Sequence, residues 1–212
     1  KLGNLGNNRC LLQGYEDSNN FAQILLYSNN SVGIYSATSG TARLYTVTTG
    51  LQRDVSSWYN IVVKFNGTSG SEEFKIYVNG VNQALTTTTA LSAHQSLIGN
   101  SNAHYIGNNF NQSLDMDGYM AEVNFIDGTA LDASSFGETK DGIWIPKDTS
   151  SLTFGTNGFH LTFKDDVISE GFNTVTYKGN GGTQSISGVG FSPGLVWGQA
   201  RSNAVGGELV DV

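Results

Sequence analysis

The sequence predicts an all-β chain, a β-sandwich or jelly roll of short antiparallel strands, and three observations carry that expectation. Apolar and polar residues alternate in run after run, most clearly in Trp58–Gly80, WYNIVVKFNGTSGSEEFKIYVNG, and such alternation marks half-buried strands. The runs are short and separated by Gly, Asn and Ser clusters, the residues of turns. No stretch carries the apolar spacing of an amphipathic helix for three turns or more. Charged residues make up only 14% and Gly numbers 27 against 2 Pro, a balance that suits many short strands closed by tight turns.

Taken in order, residues 1–14 are rich in Gly and Asn. FAQILLYS (Phe21–Ser28) is the first expected strand, and an Asn29-Asn30-Ser31 turn leads to VGIYSAT (Val32–Thr38). Ser39-Gly40 marks the next turn, before ARLYTVTT (Ala42–Thr49), rich in β-branched and aromatic residues. In the central hairpin, Tyr59, Ile61, Val63 and Phe65 share one face, and Trp58, Asn60, Val62 and Lys64 the other. On its return strand Phe74, Ile76 and Val78 oppose Lys75, Tyr77 and Asn79, with Gly67 and Gly70 in the connecting turn. The Thr86–Thr89 run reads as an edge strand or a loop. AHYIGNN (Ala103–Asn109) and DGYMAEVNFIDG (Asp117–Gly128) are expected strands, the second alternating through Tyr119, Ala121, Val123 and Phe125. TALDASSFGE reads as a single helical turn with Asp132 as N-cap. GIWIPKD and GTNGFHLTFKDD (Gly155–Asp166) supply closing strands. Near residue 168 the texture becomes Gly-rich. The expected division is therefore a sandwich over residues 1–167 and the start of a second β-rich module, or an extension, over 168–212.

Net charge of −7 and a pI near 4.8 argue against nucleic acid or an anionic membrane as partner, since both reward clustered Lys and Arg. No apolar run is long enough to cross a membrane, and membrane insertion is not expected. The lone cysteine, Cys10, excludes an internal disulfide framework and a Cys-based zinc site, and beside Leu11 and Leu12 it reads as a core residue. The start, KLGNLGNNRC, has neither an initiator Met nor a signal-peptide core, so the sequence is expected to be a fragment, a processed product or part of a longer chain.

WYNIVVKF followed by FKIYVNGV resembles the hairpin of laminin-G-like, pentraxin-like and concanavalin-like sandwiches. AHYIGNN and DGYMAEVNFIDGTALDASSFGE resemble the strands and helical turn that close that fold. The longer string, through IWIPK to GTNGFHLTF, is similar to a branch found in tail and other virion proteins of bacteriophages. TYKGNGGTQSISGVGFSPGLVWGQARSNA resembles the module that often follows it. The resemblance spans Phe21 to Asn203, and the opening "F-S-F-W-V-K-R" strand of that branch has no counterpart before Gly3. It implies a non-catalytic virion structural or adhesion protein, a tail-fibre, tail-associated or capsid-surface component located in the virion. Its partners would be other virion chains, copies of itself (a trimer would suit) and host-surface glycans. A purely architectural decoration or assembly role, without any ligand, is the alternative; a polysaccharide depolymerase is the third reading.

Retaining β-glucanases of this fold carry nucleophile and acid/base as E-x-D-x-(x)-E on one strand, with the carboxyl groups about 5 Å apart. No such string occurs: Glu122 stands alone, Glu72-Glu73 lie at a loop edge, and Asp115-Met116-Asp117 has no downstream Glu. His94, His104 and His160 are far apart in sequence and no G-x-S-x-G occurs. GNGGTQ (from Gly179) lacks the G-K-[ST] ending of a phosphate loop and reads as a hairpin turn. Asn108, Asn109, Asp115 and Asp117 offer oxygen ligands in the loop between the closing strands. They read either as self-bonding turn residues or as ligands for calcium, which laminin-G-like domains often hold at the rim. For a glycan, Trp58 and Tyr77 offer rings to stack on a sugar, flanked by Asn60 and Asn79; the competing reading makes Trp58 a core or interface residue. Asn-x-Ser/Thr triplets at Asn29, Asn66 and Asn111 are expected by chance in so Asn-rich a chain.

Overall fold

A computed structural model describes residues 1–67, 72–89, 98–99, 101–163, 174–188, 194–200 and 208–211. The chain forms two units, Lys1–Phe163 and Lys164–Val212. In the first, β1 (Arg9–Asp17), β2 (Asn20–Leu26), β3 (Ser31–Thr38) and β4 (Thr41–Leu51) follow one another as antiparallel neighbours. β5 (Ile61–Asn66), β6 (Glu73–Val78) and β7 (Val81–Asn82) form a three-stranded sheet. β8 (Leu85–Thr89) and β9 (Ala103–Ile106) return to the edges of the first sheet, which runs β8-β4-β3-β2-β1-β9. The Thr86–Thr89 run is thus an edge strand.

The two sheets are held face to face by a small aliphatic core. Leu26 and Val32 meet Ile76, Val78 and Leu2, with Tyr59, Ile61, Val63, Phe74, Leu85 and Met116 around them. Burying each such large aliphatic side chain is worth about 1.5–3 kcal/mol, so this seam fixes which face of each strand points inward. The register of the central hairpin, Ile61↔Val78, Val63↔Ile76 and Phe65↔Phe74, puts the Tyr59, Ile61 and Val63 face on the core, as the alternation predicts.

Three elements depart from the sequence reading. β1 precedes the first strand expected from the sequence, and a register shift between Cys10 and Leu12 breaks its alternation. The strand expected over Asp117–Gly128 is only β10 (Val123–Phe125). Glu122 immediately before it takes φ 53°, outside the extended region, and Tyr119 is exposed. The expected closing strands are short: β11 (Gly137–Lys140) pairs with β12 (Ile143–Pro146), and β13 (Phe159–Leu161) pairs with β10.

In the second unit β14 (Leu195–Gly198) pairs with β15 (Glu208–Asp211). No strand flanks Gly179–Gly182 among the described residues, so GNGGTQ is a loop rather than the expected hairpin turn. The residue-168 boundary, the Thr68–Ser71 part of the central turn and His94 lie outside the described residues.

Candidate functional site

On the outward face of β5 and β6, Lys64 pairs across the strands with Lys75 and Val62 with Tyr77. Two stacked ammonium groups would repel, and two carboxylates resolve that. Lys64 Nζ lies 2.8 Å from Glu73 and 3.0 Å from Asp132, while Lys75 Nζ contacts Glu73 from the other side. Tyr77 donates its hydroxyl to Asp132 Oδ1 at 2.8 Å. Hydrogen bonds from Lys64, then Lys75, hold the Glu73 carboxyl below its usual range, and those from Tyr77, then Lys64, do the same for Asp132. Glu73, bonded chiefly, and Asp132 raise the Lys64 ammonium. Asp132 does precede a 3₁₀ turn (Ala133–Ser135), but its side chain makes no capping bond because it is spent on this network.

Asn60 and Asn79 are turned toward each other. Asn60 N–H donates to Asn79 Oδ1 and Asn79 N–H to Asn60 O, both at 2.8 Å. Asn79 and Gly80 take φ 48° and 76°, the positive values of a tight hairpin turn, and Asn60 precedes β5. Tyr77 is committed to Asp132, so of the four residues read as a glycan platform only Trp58, 53% exposed, presents a large open apolar surface.

The residues read as calcium ligands divide in two. Asn109 is buried and its carboxamide is consumed by its own turn. Oδ1 accepts from the N–H groups of Ser113 (2.8 Å) and Leu114 (3.0 Å), and Nδ2 donates to Asn111 Oδ1 (2.6 Å). Asn108 Oδ1 accepts the N–H of Asn109. Asp115 and Asp117 instead line one cleft together with Arg9, whose Nη2 lies 3.6 Å from Asp117 Oδ2. A guanidinium against that carboxylate opposes a divalent cation. Among the described residues no three His, Cys, Asp or Glu side chains are grouped to hold a metal. The donor set does not fit calcium.

The sequence reading missed a row of aromatic side chains. The pairings Tyr15↔Phe21, Gln23↔Tyr35 and Tyr35↔Tyr45 put them on one side of the six-stranded sheet, opposite to the side on which Val32 enters the core. Phe21 and Tyr35 ring centroids are 5.7 Å apart, Tyr35 and Tyr45 5.8 Å, and Tyr27 and Tyr45 6.1 Å. Tyr15 stacks at 3.9 Å on Phe110, a residue presented by the Asn109 turn through Phe110 N–H to Gln13 Oε1 at 2.7 Å. All of these but exposed Phe110 are partly exposed. The expected strands carry Phe21, Tyr27, Tyr35 and Tyr45 but none carries Tyr15, and only the register shows that they line up.

Two further polar contacts are structural. His160 Nε2 lies 2.7 Å from Glu122 Oε2, bridging β13 to the residue before β10. Thr149, 2% exposed, donates to Asn124 Oδ1 at 2.8 Å.

No curated protein and no solved structure matches the chain. A domain of unknown function matches residues 167–212. The model of the concanavalin A-like lectin/glucanases superfamily matches residues 1–135, the span that holds the six-stranded sheet, the central hairpin and the aromatic row. The chain is a member of the concanavalin A-like lectin/glucanase superfamily.

Proposed function

We propose that the chain is a non-catalytic carbohydrate-binding adhesion module, a phage virion component of tail-fibre, tail-associated or capsid-surface type that docks on host-surface glycans. The aromatic row of the six-stranded sheet carries this reading. Tyr15, Phe21, Tyr35 and Tyr45 on rigid strands, with Phe110 on the adjoining turn, offer flat apolar surface, and the apolar face of a pyranose stacks on such rings at little entropic cost. The lectin-type sandwich supports carbohydrate as the ligand. The virion setting rests on the likeness of GYMAEVNFIDGTALDASSFGE to phage sequences. Weak single sites would gain strength from repetition around a symmetric particle. In favour of binding rather than hydrolysis, Glu73 and Asp132 are clamped by lysines, Glu122 by His160 and Asp117 by Asn4.

Glycan-array and host-cell binding of the chain test the proposal. Tyr35→Ala with Tyr45→Ala should weaken binding by about tenfold or more, the equivalent of about 1.4 kcal/mol. Undiminished binding by the double variant removes the aromatic row from the account, and no binding by the intact chain removes the adhesion reading. The architectural role remains the second reading, favoured by the same partly exposed rings, since aromatics also concentrate at protein interfaces. In that case the double variant would change the sedimentation state of the chain instead.

A further inference from the structure

Arg9, the first residue of β1, is 1% exposed, and none of Nε, Nη1 and Nη2 has a hydrogen-bond partner. Its nearest carboxylate oxygen, Asp117 Oδ2 at 3.6 Å, is beyond hydrogen-bond reach and accepts instead from Asn4 Nδ2 at 2.8 Å. A guanidinium cannot shed its proton and offers only donors. Buried polar groups as a rule find partners, so such a group under a cleft is set to meet an acceptor that arrives from outside. The cleft exists. It is open to solvent, holds about 440 Å³ and is lined by Arg9, Asn7, Asn8, Ser113, Asp115 and Asp117 among others.

The lining selects the ligand. Arg9 needs acceptors, whereas the exposed carboxylates of Asp115 and Asp117 need donors. A bare oxyanion would satisfy the guanidinium while facing two carboxylates of its own sign, and a divalent cation would satisfy the carboxylates while facing the guanidinium. A neutral molecule bearing neighbouring hydroxyls satisfies both at once. Its oxygens accept from Arg9, and its O–H groups donate to Asp115 and Asp117 in charge-assisted bonds. Asn7, Asn8 and Ser113 add donors and acceptors of the same kind. The volume lies within the range of small-molecule sites.

The geometry points to a polar subsite at this cleft for a neutral sugar ring, one without carboxylate, sulfate or phosphate; the inference rests on the carbohydrate-binding reading but uses none of the aromatic row.

The test titrates the intact chain with glucose, galactose, mannose and N-acetylglucosamine, and separately with inorganic sulfate and with calcium alone. Calorimetry and the NMR signal of the Arg9 Nε–H report binding. A sugar should move the Arg9 signal, and Asp115→Asn should weaken it by about tenfold, because a neutral amide is a poorer acceptor than a carboxylate. Asp115 is exposed, so this variant keeps the fold. The sign of the effect discriminates, since removing a negative charge would strengthen sulfate. Sulfate binding tighter than every sugar and gained by Asp115→Asn overturns the inference in favour of an oxyanion site. Calcium binding lost in Asp115→Asn overturns it in favour of a cation. Sugar binding that is lost with Tyr35→Ala and Tyr45→Ala but unchanged by Asp115→Asn sinks the cleft and leaves the adhesion proposal standing. No sugar response in any form of the chain sinks both.

Discussion

Burial decides what single side chains can do here. Cys10 is fully enclosed, and desolvation pushes its thiol up to about 12, so almost no thiolate exists near neutrality. Thiol-reactive probes should therefore leave the native chain unlabelled at pH 8 and label it at the rate of unfolding; rapid native labelling would contradict this packing. Glu73 and Asp132 illustrate the opposite case. Both carboxyls lie lower in the folded chain than in the unfolded one, so the stability they contribute is complete above about pH 4.5 and disappears as the pH falls through their folded values. Between pH 6 and pH 3 the wild-type Tm should drop further than that of a Glu73→Gln, Asp132→Asn double variant. Parallel drops would show that the lysine clamp adds nothing. These pairings could not be read from the sequence, because Asp132 and Lys64 are 68 residues apart and only folding makes them neighbours.

At the level of elements, the turn between β6 and β7 is where local chemistry and tertiary packing coincide. The sequence reading carries Asn79 on the return strand, but Asn79 and Gly80 take φ 48° and 76° and form the turn. What no local pattern shows is that the Trp144 ring lies against it: a Cβ on Gly80 would come within 2.2 Å of that ring. Gly80→Ala should therefore cost roughly 1–3 kcal/mol from backbone strain plus overpacking, measured by denaturant unfolding. In a Trp144→Ala background the cost should fall; an equal cost in both backgrounds would leave the backbone alone responsible. β12, which carries Trp144, lies outside the residues 1–135 matched by the superfamily but packs onto the central hairpin within the same unit. β1 shows the converse failure. Its bulge at Cys10/Leu12 and its buried Arg9 and Gln13 scramble the period-two signal on which strand reading depends.

Across the full chain, local sequence is enough to set the class. Alternation, turn residues and the want of helical spacing are local properties, and local properties specify strands. They also specified the central hairpin and its inward face, since a period of two leaves only one apolar stripe to bury. Tertiary structure alone decided where a ligand could sit. Tyr15, Phe21, Tyr35 and Tyr45 come from four different strands, and register aligns them on one face. Arg9 comes to share a cleft with Asp115 and Asp117 across more than a hundred residues of chain, while the Asn60 backbone, read as part of a binding face, is tied to Asn79. The physical reason is common to all three: a side chain's partners are set by which strands pair and in what register, and that choice is made by burying the shared core.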